Sequence, residues 1–187
     1  MGTSSSSLPG LRSAWVLNAG TLLRIALTPV VMALILLTDD DGAAFLLFAV
    51  AAVTDYFDGY LARRWNVTTT LGSFLDTTAD KLLVSGVLVA LVSVGRASPW
   101  LTAIIIAREM AILGLRGVVA VDGTVMKASP MARIKTTVQC AAIALIILRP
   151  GDPIAGAYLD EWALLIATVI TVWTAVDYLR RFAASLR

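Results

Sequence analysis

Six apolar stretches of about 20 residues each dominate this sequence, and they constrain its fold more than any other feature. They run 17–37, 42–62, 71–94, 100–120, 129–148 and 159–179. At about 1.5 Å per residue, a helix of that length crosses a hydrocarbon core of about 30 Å. The breaks between them carry turn-forming or charged residues: Asp39-Asp40-Asp41-Gly42, Gly95 with Pro99, Asp122-Gly123, and Pro150-Gly151-Asp152-Pro153. None of the stretches alternates polar with apolar, which excludes barrel strands and leaves helices as the spanning structure. Only 15% of the 187 residues are charged and 58% are hydrophobic, too few polar groups to cover a water-soluble globule of this size. The expected fold is an all-α integral membrane bundle of six transmembrane helices. Residues 1–16, with the run Ser4 to Ser7, read as a flexible head, and residues 17–187 as one membrane domain. The first stretch is too long for a signal peptide, holds Arg24 inside it and lacks a following small-residue cleavage site.

Charge fixes the expected orientation. With the N-terminus in the cytoplasm and six crossings, only Arg96 and Arg149 of the 15 basic residues fall on the outer side. The positive-inside rule therefore places both termini in the cytoplasm. A net charge of +2 gives no footprint for nucleic acid, and the single cysteine, Cys140, cannot close an internal disulfide. The chain has no histidine, which excludes histidine bases, histidine metal ligands and Ser–His triads. Acid–base chemistry is left to Asp, Glu, Lys and Tyr.

Four aspartates gather at the cytoplasmic ends of the second and third stretches: Asp55, Asp58, Asp76 and Asp80. Residues three apart lie about 60° apart around a helix and residues four apart about 40°, so each pair projects from one face. The short connection makes the two helices antiparallel neighbours, on which the four carboxylates can converge. Such a cluster at a membrane boundary needs a positive counterpart, and a hard divalent cation suits oxygen ligands. The competing reading is of ordinary polar helix ends facing water. Gly59, Ala62 and Gly72 share the face, where small residues admit either a ligand or a close-packed helix. Arg63 beside them can pair with an aspartate or hold a phosphate.

These residues compose a pattern. Asp55, Asp58-Gly59, Ala62-Arg63, Gly72, Asp76 and Asp80 occupy all eight fixed positions of D-x2-D-G-x2-A-R-x8-G-x3-D-x3-D, spread over 26 residues. The pattern resembles the signature of the CDP-alcohol phosphotransferase family. That resemblance implies six membrane helices with a site at the cytoplasmic interface, a homodimer, and one or two Mg²⁺ or Mn²⁺ ions holding the pyrophosphate of a CDP-linked lipid. It implies Asp55, Asp58 and Asp76 as metal ligands. Asp80 would be the catalytic base on the acceptor hydroxyl, with possible metal contact. Gly59, Ala62, Arg63 and Gly72 would line the CDP-lipid site.

The acceptor is read from other residues. Arg108 and Glu109 lie inside the fourth stretch, Arg116 stands about 80° round the helix from Arg108, and Arg133 and Lys135 open the fifth. Clustered Arg and Lys can form a phosphate receptor or can anchor a helix at the inner leaflet by snorkelling. Within the family, Asn18 to Arg24, Asp80-Lys81, Ala107-Arg108-Glu109 with Leu115-Arg116, and Lys135-Thr136 with Gln139 are similar to the branch that uses sn-glycerol 3-phosphate. Gly20 and Ala132-Arg133 depart from the residues common there. The reaction implied joins CDP-diacylglycerol to sn-glycerol 3-phosphate, giving phosphatidylglycerophosphate and CMP. Arg108, Arg116 and Lys135 would grip the acceptor phosphate. Branches using phosphatidylglycerol or inositol phosphate are the alternatives inside the family. Outside it, a transporter would also suit six spans with intramembrane charge, and a scaffold would use its polar residues only for packing. The expected setting is a bacterial inner membrane, with the site facing the cytoplasm.

Overall fold

In the computed structural model the chain forms α1 (Leu8–Leu37), α2 (Asp41–Trp65), α3 (Thr70–Ser93), α4 (Pro99–Val121), α5 (Pro130–Leu148) and α6 (Leu159–Ser185). The structure describes residues 8–38, 40–65, 70–121, 130–149, 151 and 158–185. Of the side chains within helices, it describes those of 20–37, 41–54, 77–115, 117, 134–148, 159–180 and 182. The described residues are all-helical, and each apolar stretch lies on one helix. Helix α1 starts at Leu8, so the stretch expected from residue 17 is the later part of a longer helix.

Two of the helices, α1 over Gly20–Leu37 and α6 over Leu159–Arg180, are apolar enough over a sufficient length to cross a membrane. The apolar parts of α2 and α5 among the described residues, Asp41–Thr54 and Ile134–Leu148, are shorter. Large apolar side chains point outward in numbers that water would not tolerate: Leu37 is 81% exposed, Trp100 80%, and Leu22, Leu46, Val53 and Trp173 are also exposed. Two helices long and apolar enough to cross, with this outward apolar surface, are features of a membrane protein.

The chain divides into two compact units, Met1–Val87 and Leu88–Arg187, with the division inside α3. In the first unit, α1 packs against α2 and buries Val31, Ile35, Ala44 and Phe48. The two helices are joined by a tight connection. Asp40 is the N-cap of α2, its Oδ1 accepting a hydrogen bond from the Ala43 amide at 2.9 Å. The Thr38 hydroxyl closes the end of α1 on the Leu34 carbonyl at 2.7 Å. The part of α3 that belongs to this unit meets α1 at Gly86, where an added Cβ would lie 2.9 Å from Met32 Sδ and 3.1 Å from Thr28 Cγ2.

In the second unit α6 packs against α5 and α4, around Ile105, Ile143, Ile146, Ile147 and Leu164. Helix α3 ends in a Schellman turn. Gly95 takes φ +69°, its amide bonds the Val92 carbonyl at 3.0 Å, and the Arg96 amide bonds the Leu91 carbonyl at 2.9 Å. The Arg96 side chain then donates from Nη1 to the Ile147 carbonyl at 3.0 Å, satisfying an acceptor in the last turn of α5. After α5, the Arg149 guanidinium stacks over the Tyr158 ring, 4.1 Å from its centroid.

Candidate active site

Asp55, Asp58, Gly59, Ala62 and Arg63 lie in the last three turns of α2, and Gly72, Asp76 and Asp80 in the first three turns of α3. The whole signature therefore rides on two consecutive helices, as its spacing requires. The side chains of Asp55, Asp58, Ala62, Arg63 and Asp76, and the surroundings of Gly59 and Gly72, lie outside the described residues.

Asp80 is described. Its carboxylate retains 20% exposure and pairs through Oδ2 with the Lys81 ammonium. Ala79, Leu83 and Val84 around it on α3 are buried. Asp80 thus stands part-exposed beside a buried apolar face of α3. Among the described residues there is no group of three metal-ligating side chains. The expected set of four needs Asp55, Asp58 and Asp76, of which only the helical positions are described. The donor chemistry suits Mg²⁺ or Mn²⁺: carboxylate oxygens are hard ligands, and no sulfur or imidazole donor occurs in the signature.

One further side chain of this unit bears on the site. Arg24 on α1 is completely buried. It lies about 20 Å along α1 from the Thr38–Asp40 connection, and Asp55 lies about the same distance along α2. The sequence marks Arg24 as a charge within an apolar stretch and as part of the Asn18–Arg24 similarity, and its burial is what the structure adds.

The second unit gathers two of the expected acceptor residues. Arg108 on α4 donates from Nε to the Thr171 carbonyl at 3.1 Å, from Nη2 to Thr174 Oγ1 at 3.0 Å, and from Nη1 to Glu109 Oε1 at 3.0 Å. Lys135 on α5 pairs with the same Glu109 oxygen. The side chains of Arg108, Glu109 and Lys135 are 12%, 3% and 4% exposed. Thr174 also donates to the Thr171 carbonyl at 2.9 Å. One turn beyond Lys135 on α5, Gln139 is buried and its Nε2 has no hydrogen-bond partner. Arg116 lies on α4 with its side chain outside the described residues, as does that of Arg133 on α5.

Buried charges at this depth are not snorkelling anchors, which leave their heads in water. They form a three-helix ion-pair cluster, with Arg108 joining α4 to α6 and Lys135 joining α5 to α4. Sequence reasoning named Arg108 and Lys135 but missed Thr171 and Thr174. The only advance signal for that pair was two hydroxyls three residues apart in an apolar helix.

The model of the CDP-alcohol phosphatidyltransferase family matches residues 15–173, most of the chain and all of the signature. The chain belongs to this family. Among curated relatives, a CDP-diacylglycerol–glycerol-3-phosphate 3-phosphatidyltransferase of Bacillus subtilis (strain 168) is 38% identical, covering 83% of this chain and 90% of the relative. Proteins of the same name from Escherichia coli (strain K12) and Shigella flexneri serotype 5b are each 40% identical, covering 89% of this chain and 93% of the relative. The matched range of this CDP-alcohol phosphatidyltransferase family takes in residues 55–80, and with them every position of the signature.

Proposed function

We propose that this chain transfers the phosphatidyl group of CDP-diacylglycerol to sn-glycerol 3-phosphate, giving phosphatidylglycerophosphate and CMP, as a step of phospholipid synthesis. What carries the reading is the complete eight-position aspartate signature in a chain about 40% identical to relatives named for that reaction. The cluster of Arg108 and Lys135 supports an acceptor that carries phosphate, which sn-glycerol 3-phosphate does and a neutral alcohol does not.

Asp55, Asp58, Asp76 and Asp80 would hold one or two divalent cations, Mg²⁺ or Mn²⁺, as is general in the family. When bound, the cation neutralises the pyrophosphate and stabilises the leaving CMP. Gly59, Ala62 and Gly72 offer no side-chain bulk against the CDP headgroup, and Arg63 holds a phosphate oxygen. Asp80 orients the acceptor hydroxyl and takes its proton as the oxygen attacks the phosphatidyl phosphorus. The new P–O bond forms while the bond between that phosphorus and the CMP oxygen breaks. Arg108, Arg116 and Lys135 grip the acceptor's own phosphate, which must stay apart from the reacting one. In this reading all six helices cross the membrane with both termini in the cytoplasm. The protein works as a homodimer in a bacterial inner membrane, with its site on the cytoplasmic side.

The test is CMP release from CDP-diacylglycerol by the purified protein in detergent with Mg²⁺ or Mn²⁺. Parallel reactions hold sn-glycerol 3-phosphate, phosphatidylglycerol or inositol phosphate. Release with glycerol phosphate alone is expected. Release only with another acceptor keeps the aspartate chemistry and overturns the acceptor. No release with any of them from folded protein overturns the enzyme reading in favour of a transporter or a scaffold.

A further inference from the structure

The cluster on α4, α5 and α6 contains a carboxylate that the proposed reaction does not use. A single oxygen, Glu109 Oε1, receives both the Arg108 Nη1 hydrogen bond at 3.0 Å and the Lys135 ion pair. The two cations differ in how firmly they are held. Arg108 is fixed at two further points, the Thr171 carbonyl and Thr174 Oγ1 on α6. Lys135 carries its charge on a flexible four-carbon stem, and a carboxylate sets where that head points. The cluster is almost fully buried, where electrostatic interactions are stronger than in water and an unpaired charge is strongly disfavoured. The shared carboxylate offsets the repulsion between the two cations and holds both heads at one point.

We propose that Glu109 is a positioning residue for the acceptor's phosphate. It brings the Lys135 ammonium and the Arg108 guanidinium to one point and offsets their mutual repulsion, so that a phosphomonoester meets donors already oriented. The proposal rests on sn-glycerol 3-phosphate being the acceptor. It adds Glu109, a carboxylate and so an unexpected neighbour for an anion, to the residues that determine acceptor affinity. A residue that only braced the helices would affect both substrates alike when replaced.

The experiment uses the full chain in detergent and compares wild type, Glu109→Gln and Glu109→Asp. CMP release is measured against sn-glycerol 3-phosphate at saturating CDP-diacylglycerol, and against CDP-diacylglycerol at saturating glycerol phosphate. Inorganic phosphate serves as a competitor of the acceptor. Glu109→Gln keeps the shape and loses the charge-assisted bonds, so KM for glycerol phosphate rises about tenfold. Inhibition by inorganic phosphate weakens in parallel, and KM for CDP-diacylglycerol is unchanged. Glu109→Asp keeps the charge and falls between the two. An unchanged acceptor KM in Glu109→Gln, or an equal rise for both substrates, overturns the proposal.

Folding of each variant is checked by melting with and without CDP-diacylglycerol. If Glu109→Gln does not fold, Glu109→Asp decides, because its carboxylate is withdrawn by one methylene. A rise confined to glycerol phosphate is expected there, and no rise or a parallel rise overturns the role. Wild type that ignores glycerol phosphate overturns the acceptor reading and this proposal with it. An active wild type with an insensitive Glu109→Gln overturns the role of Glu109 alone.

Discussion

Asp80 and Glu109 are carboxylates in opposite circumstances, and their surroundings assign them different work. Asp80 keeps 20% exposure beside Lys81, while Glu109 is 3% exposed between two cations. A partly open carboxylate can exchange a proton with an alcohol; a closed one held by two cations can only orient them. Replacing Asp80 by Asn keeps its size and removes its capacity to take a proton. CMP release is expected to fall by about a thousandfold, within the range that general bases contribute. Binding of CDP-diacylglycerol, read as a ligand-dependent rise in melting temperature, persists. Near-normal turnover in Asp80→Asn would remove it as the base. The aspartates were legible in the sequence because their spacing is local: three and four residues within one helix. The Glu109 cluster was not, since Glu109 and Lys135 are 26 residues apart and Arg108 and Thr174 are 66 apart. Only packing of three helices joins them, and no periodicity records which side chains will meet.

At the scale of elements, the contact between α1 and α3 turns on Gly86, in the later half of α3. The Thr28 methyl would lie 3.1 Å from a Cβ placed there. It has little freedom, being on a β-branched side chain whose hydroxyl is tied to the Arg24 carbonyl at 2.8 Å. Met32 Sδ, at 2.9 Å from the same Cβ, sits near the end of a flexible side chain and can move aside. Gly86→Ala is therefore expected to destabilise modestly, since Met32 can move aside but the Thr28 methyl cannot, whereas Gly86→Leu must push α1 away from α3. Overpacking of that kind destabilises by about 1–3 kcal/mol, and a lowered melting temperature in detergent is the readout. A Gly86→Leu protein as stable as wild type would mean that the two helices do not pack this closely. The helices themselves were legible from hydropathy and from turn residues such as Asp40 and Gly95. The start of α1 was not, because Leu8 to Val16 combines helix-compatible residues with Pro9 and Gly10, which read as breakers. Pro9 stands in the first turn, where its missing amide proton removes no helical bond.

For the whole molecule, the sequence shows an economy of charge. Charged residues make up 15% of the chain, and within the apolar stretches two sets stand out, mainly acidic on α2 and α3 and mainly basic on α4 and α5, beside Arg24 on α1 and Asp160, Glu161 and Asp177 on α6. The first set holds the four aspartates of the signature, and the second includes the buried cluster of Arg108, Glu109 and Lys135. Both are costly to place in apolar helices, and each gains a purpose if one receives a cation and the other an anion. The membrane character was legible because it is a property of composition summed along the chain. Which acceptor is used is carried by a few side chains; local similarity already pointed to one, and the meeting of Arg108 and Lys135 on Glu109 is what the structure adds. In the proposed reaction the aspartate signature performs a metal-assisted phosphatidyl transfer. The most direct measurement is CMP release from CDP-diacylglycerol and sn-glycerol 3-phosphate before and after excess EDTA, followed by added Mg²⁺ or Mn²⁺. Release is expected to stop with the chelator and to return with the metal; release that continues undiminished in excess chelator would overturn the metal-assisted reaction.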